Sequence, residues 1–175
     1  IFNSSDSGVM LLFTSALRDK TSELLQLCRA SLKRIVVAES CTGGLVSACL
    51  TEIPGSSDVF ESGFITYSNN AKIKELKVPK NLIDTVGAVS EEVACAMASG
   101  ALACSHADLS LAVTGIAGPA GASPEKPVGL VHFAVAGRSS ATSHQKVVIP
   151  GDRSMVRIAS VNIGINMLLN SVRNL

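Results

Sequence analysis

The chain has 175 residues, 47% of them hydrophobic and 17% charged, with a mean hydropathy of +0.38; these values fit one compact domain and exclude a disordered or collagen-like chain. Its 15 Lys and Arg against 14 Asp and Glu leave a net charge of +1, and aromatic residues make up 3% with no Trp, so it offers neither a field that gathers polyanions nor a platform for stacked bases. No nucleic-acid role is expected.

The chain opens on Ile1 and the polar run Asn3 to Gly8, so residues 1–9 are expected to be a disordered or non-native leader and residues 10–175 the domain. The longest apolar run, Val9 to Phe13, is far shorter than the roughly 20 residues of a membrane helix and lacks the basic flank of a signal peptide. No membrane partner is expected. Leu17, Leu24 and Cys28 recur near helical period between Thr14 and Ala30, with Arg18, Asp19, Lys20 and Glu23 on the other face, which predicts an amphipathic helix. Ile35 to Ala38 reads as a strand buried on both faces, and Gly43-Gly44 lead into a helix from Leu45 to Leu50. After the turn Pro54-Gly55-Ser56-Ser57, Gly63 to Tyr67 predicts a second strand. Asn69 or Asn70 then caps a short helix that runs through Leu76 and is closed by Pro79.

Ser90, followed by Glu91 and Glu92, supplies a cap and an acidic first turn for a helix whose apolar residues run from Val93 to Leu102. Strands are expected at Leu109 to Val113, Gly129 to Ala136 and Ser143 to Ile149, and Asp152 caps a last helix reaching about Leu169. Alternating helices and apolar strands predict an α/β fold, a single three-layer α/β/α domain with a mostly parallel or mixed central sheet. The stretch Gly115 to Pro127 is dense in Gly and Pro and reads as a functional loop.

Five cysteines with neither CxxC nor zinc spacing suit reduced thiols in a cytoplasmic protein. No pair of acids has metal-ligand character, so no metal is expected. In open α/β sheets ligands bind beyond the carboxyl ends of the strands. Three polar clusters fall there: Glu39-Ser40-Cys41-Thr42-Gly43-Gly44, Tyr67 to Lys72, and Thr114-Gly115-Ile116-Ala117-Gly118-Pro119. In the first, Ser40 or Thr42 either caps the following helix or Ser40 is an exposed nucleophile beside helix amides, with Cys41 as the other candidate. Lys72 is either its neutral base or one of three solvated lysines with Lys74 and Lys77; Tyr67 is either a strand-end residue or a partner in the chemistry. Thr114, Gly115 and Gly118 can form an anion nest with Lys126 nearby, and Arg153 or Arg157 can clamp a phosphate or carboxylate. His106, His132 and His144 lie outside these clusters.

Together these stretches resemble the CinA C-terminal domain family, whose enzymatically characterised members are nicotinamide-nucleotide amidases. The resemblance rests on AESCTGG from Ala38 to Gly44, PGSS from Pro54, GFITYSNNAK from Gly63 to Lys72, GAVSE from Gly87, TGIAGP from Thr114 to Pro119, SPEKPVG from Ser123, and Gly151 to Arg153, in family order. It implies hydrolysis of the carboxamide of nicotinamide mononucleotide (NMN), with no metal or cofactor, in pyridine-nucleotide salvage. Ser40 would be the nucleophile, Lys72 its base and Tyr67 an orienting or relaying partner. The amides from Cys41 through Thr42 and Gly43 to Gly44 would form the oxyanion hole, and Thr114, Gly115, Gly118 and Arg153 would hold substrate. Family members often carry an additional N-terminal domain and form homo-oligomers; this chain resembles the stand-alone form. It departs from the pattern at Ala120-Gly121-Ala122, a stretch commonly richer in glycine. The alternative from a different class is a catalytically silent nucleotide-binding or assembly domain.

Overall fold

The computed structural model describes residues 12–174; the expected leader at 1–9 lies outside the described residues. In chain order the elements are α1 (Ser15–Ala30), β1 (Ile35–Glu39), α2 (Leu45–Thr51), a 3-10 turn (Ser56–Asp58), β2 (Phe60–Ile65), α3 (Asn69–Leu76) and α4 (Lys80–Val86). Then follow α5 (Glu91–Ala103), β3 (Leu109–Gly115), β4 (Leu130–Gly137), β5 (Ser140–Val148) and α6 (Arg153–Arg173). The five strands form one mixed sheet in the order β2-β1-β3-β4-β5, parallel across β2, β1 and β3 and antiparallel from β3 to β5. The β3–β4 connection contains no helix to carry the chain back to the start of a parallel strand. Its base is pinched by Ile116 N donating to Leu130 O (2.8 Å) and Gly129 N to Ile116 O (2.8 Å).

Alternate residues of the inner strands feed two cores. Ile35, Val37, Leu111 and Phe133 pack with α1, α2 and α6, whereas Val36, Ala38, Ala112 and Ala134 pack with α5 and Leu76 of α3. This is the expected three-layer arrangement, and it explains why β1 is buried at every position. Helix α6 is long and apolar enough to cross a membrane by length and composition alone, yet half of its apolar window is buried against the rest of the fold.

Several elements differ from expectation. The second strand spans Phe60–Ile65 rather than Gly63 to Tyr67, because β1 ends at Glu39 opposite Ile65 and the chain beyond has no strand to pair with. The cap of α3 is Ser68, whose hydroxyl accepts from Ala71 N at 3.1 Å, rather than Asn69 or Asn70. Helix α4 has no counterpart in the sequence reading: Ile83 is its one buried side chain, too little for a periodic signal. Helix α6 runs on to Arg173, and β5 starts at Ser140 as an exposed edge strand.

Candidate active site

Strands β1 and β3 lie side by side in parallel, but the chain leaves β1 through α2 towards β2 and leaves β3 towards β4 on the opposite side. Their carboxyl ends therefore diverge, which opens the crevice expected at a switch in strand order. A cavity of about 240 Å³ opens there, lined by Ser40 and Cys41 after β1, Tyr67, Asn69 and Lys72 after β2, and the Thr114–Gly118 stretch after β3 with Arg153 from α6.

Ser40 is pinned at the strand end, its N–H donating to Val113 O at 2.9 Å, and its side chain is nearly buried. Neither Ser40 nor Thr42 caps α2. The cap position is Gly44, without a side-chain bond, and the amides of the helix are taken instead by Glu39. The Glu39 carboxylate, itself fully buried, accepts from Gly44 N (2.9 Å), Val46 N (3.1 Å), Ser47 N (2.8 Å) and Ser47 Oγ (2.7 Å). The turn can be this tight because Gly43 and Gly44 adopt φ of +60° and +95°, where side chains are strained. Gly43 N donates to Ser40 O at 3.1 Å. The Gly43 and Gly44 amides are thus consumed, a correction to their expected place in an oxyanion hole. Among the described residues the amides of Cys41 and Thr42 donate to no backbone carbonyl, and the Cys41 N–H lies beside its own thiol.

Lys72 reaches this turn from the second turn of α3. Its Nζ lies 2.9 Å from Ser40 Oγ, 2.8 Å from Thr66 O and 3.5 Å from Tyr67 O, and the side chain is 1% exposed. The solvated-lysine reading holds for Lys74 and Lys77, which are exposed, and not for Lys72. Among the described residues no carboxylate pairs with Lys72. Burial pushes its pKa down to about 8, so a substantial share of the amine is neutral at mildly basic pH. The Cys41 thiol goes the other way: burial raises it to about 12, leaving it protonated and a poor nucleophile.

Tyr67 is 60% exposed, and its hydroxyl accepts from Arg153 Nη2 at 3.0 Å and makes no hydrogen bond to Ser40 or Lys72. What Tyr67 offers Lys72 is its backbone carbonyl. Arg153 Nη1 also donates to Gly118 O at 2.9 Å, so one guanidinium ties the chain after β2 to the chain after β3. Thr114 spends its hydroxyl on Ala88 O at 2.9 Å, which fixes the segment before α5 as a wall of the cavity. Lys126 is drawn to Val86 O at 2.6 Å, Arg157 Nη2 donates to Thr42 O at 2.8 Å, and neither side chain lines the cavity, where the sequence allowed either as a ligand clamp. Ala120 stands on the cavity wall, and both it and Ala122 keep negative φ, so the added methyls cause no backbone strain. His132 and His144 bond to each other at 3.0 Å across β4 and β5, outside the crevice.

The sequence reading places Glu39 and Asn69 in the polar clusters without a role at the site, and it passes over Thr66. A carboxylate closing an otherwise apolar strand is the available signal for Glu39; with Ser68 as the cap of α3, Asn69 is left to line the cavity. Among the described residues no three His, Cys, Asp or Glu side chains converge as metal ligands. A larger hollow of 610 Å³ between α1 and α6 is walled by Leu17, Met155, Ile158 and Ala159 and has no comparable cluster of reactive groups.

Fold and crevice together define an α/β/α domain with a buried serine–lysine pair at the switch point of a mixed sheet. The chain belongs to the CinA C-terminal domain family, whose profile matches residues 17–172. It is 47% identical over 150 residues to a CinA-like protein of Prochlorococcus marinus, covering 84% of this chain and 34% of that protein. A CinA-like protein of Geotalea uraniireducens is 54% identical over 122 residues, which is 70% of this chain and 29% of that protein. The chain spans about a third of the length of the curated relatives it matches. Among solved structures it is similar to the competence/damage inducible protein CihA from Agrobacterium tumefaciens, with TM-score 0.90 and 41% identity, covering 94% of this chain and 99% of that one. A CinA superfamily protein from Escherichia coli matches with TM-score 0.86 and 32% identity over 93% and 95% of the two chains.

Proposed function

We propose that the domain is an amidohydrolase that converts NMN to nicotinic acid mononucleotide and ammonia, with Ser40 as nucleophile and Lys72 as base. The observation that carries this reading is the Lys72 Nζ to Ser40 Oγ contact of 2.9 Å, made by a buried amine that has no carboxylate partner among the described residues. As an ammonium Lys72 donates to Ser40 Oγ and Thr66 O, with Tyr67 O at 3.5 Å; once neutral, it can keep its N–H groups on these carbonyls and turn its lone pair to the serine hydroxyl.

In the proposed step Ser40 Oγ bonds to the carboxamide carbon as its proton passes to Lys72 Nζ. The oxyanion forms beside the amides of Cys41 and Thr42, which no backbone carbonyl takes among the described residues. Collapse breaks the C–N bond, Lys72 returns the proton to the leaving nitrogen, and ammonia departs. Water then attacks the ester, gives its proton to Lys72, and the serine recovers it as nicotinic acid mononucleotide leaves. Arg153 keeps N–H groups beyond its bonds to Gly118 and Tyr67 for the substrate phosphate, and Asn69 can meet the carboxamide. Tyr67 serves by aiming Arg153 and by lending its carbonyl to Lys72.

The test is ammonia release from NMN in the presence of EDTA by the wild type beside Ser40→Ala. Turnover lost in the variant, by at least about a thousandfold, supports the reading. Wild-type protein that binds NMN in calorimetry without releasing ammonia overturns it in favour of a silent binding domain.

A further inference from the structure

The turn that carries Ser40 is held from an unexpected side. Glu39 is tied through its backbone to both neighbouring strands, opposite Ile65 of β2 and Val113 of β3, with Thr66 N donating to its carbonyl at 2.9 Å. Its side chain passes over the turn, and both carboxylate oxygens are bound to the first turn of α2 by four donors. The segment between those two anchors runs from Ser40 to Gly44 and includes two glycines with positive φ, the residue type least able to hold a conformation alone. Helix α2 has seven residues and no side-chain bond from its cap position; Val46, Cys49 and Leu50 anchor its body in the core and Arg157 holds Thr42 O, while Glu39 alone takes up the side-chain capping of its first amides.

We infer that Glu39 is the positioning residue of this site: by clamping the start of α2 back onto the end of β1, it sets where Ser40 Oγ and the Cys41 and Thr42 amides stand. The inference rests on the Ser40–Lys72 reading. It has a second face. Because the amides of α2 satisfy the carboxylate, Glu39 is not the counter-ion of Lys72, and its role is separable from the protonation of the base. A substrate carbonyl meets the Cys41 and Thr42 amides fully only as its oxygen becomes charged, so losing the clamp lowers kcat more than it raises KM.

The experiment follows covalent labelling of Ser40 by a fluorophosphonate, against pH, in the folded wild type, Glu39→Gln and Ser47→Ala, with NMN turnover measured in parallel. In Glu39→Gln the side-chain NH2 faces at least one backbone N–H whichever way it turns, that of Ser47 or those of Gly44 and Val46, and the clamp weakens. Labelling is expected to fall about 100-fold, the scale of a misplacement near 1 Å, with its pH midpoint unchanged and KM near wild type. Ser47→Ala, which removes one donor of four, loses less. A wild-type labelling rate in folded Glu39→Gln overturns the inference, and so does a pH midpoint moved to lower values, which would make Glu39 a charge partner of Lys72. If Glu39→Gln does not fold, Glu39→Asp takes its place, since it keeps the charge but draws the carboxylate back by one methylene; a wild-type rate there is equally fatal. Failure of the wild type to be labelled removes the Ser40–Lys72 reading and the inference with it. A wild type that is labelled but leaves NMN intact removes the amidase reading alone, and the labelling comparison still decides on Glu39.

Discussion

At the scale of single residues the account turns on one lysine among three. Lys72, Lys74 and Lys77 share a helix or its edge, and composition cannot separate them. The separating signal is local: Lys72 stands four residues before Leu76, so it shares the helix face that is buried. That face carries an energetic cost. The unfolded chain keeps this proton up to the ordinary lysine range, whereas the folded chain releases it near about 8. Wild-type stability therefore rises with pH between those values, and below about 8 the full penalty applies, about 3 kcal/mol for a depression of that size. Losing the bond to Thr66 offsets about 1 kcal/mol of any gain from removing the amine. Lys72→Met is accordingly expected to be about 2 kcal/mol more stable than wild type in urea denaturation at pH 7, with an advantage that shrinks towards pH 10. A less stable variant at pH 7 would mean that the amine is held charged by a partner. Lys72→Arg, which retains a permanent cation, should lose at least about 100-fold in NMN turnover, and a near wild-type rate would remove Lys72 from the mechanism.

At the scale of elements, the long amphipathic or small-residue helices and the buried strands were legible because their periodicity is set by the faces they bury. Helix α5 was read with its cap, and Ser90 Oγ does accept from Val93 N at 3.3 Å. Helix α4 was illegible, since one buried residue in seven leaves no pattern, and the end of β2 was misplaced because the length of its partner strand is not a local property. One close approach between elements bears on the site. Gly100 of α5 faces the last turn of α3, where a Cβ would overlap the carbonyl oxygen of Leu76, a backbone atom that cannot swing aside. Gly100→Ala adds about 1 kcal/mol of helix propensity but forces α3 away. We expect a net destabilisation of about 1–2 kcal/mol by urea denaturation and a reduced kcat in the folded variant, because α3 carries Lys72. An unchanged kcat would show that Lys72 is not positioned through this contact.

For the molecule as a whole, the sequence supported a layered α/β/α fold but left parallel and mixed sheets open, because strand order depends on pairings far apart in the chain. The structure resolves this with β1 and β3 adjacent and the chain leaving them in opposite directions. That topology brings together the three polar clusters that the sequence kept 23 or more residues apart, as the Ser40–Lys72 contact and the bridge of Arg153 from Tyr67 to Gly118 show. Residue types and motifs pointed to Ser40 and Lys72; they were silent on which amides stay free, since that depends on where a buried carboxylate is satisfied. The central claim is that a neutral, buried Lys72 takes the proton of Ser40. Its most direct test is the pH dependence of kcat/KM for ammonia release from NMN, which reports the ionisation of the free protein. The account predicts an acid limb with a midpoint of about 8, the rate rising with pH as Lys72 gives up its proton. A rate that stays level from well below that midpoint to well above it would contradict the claim.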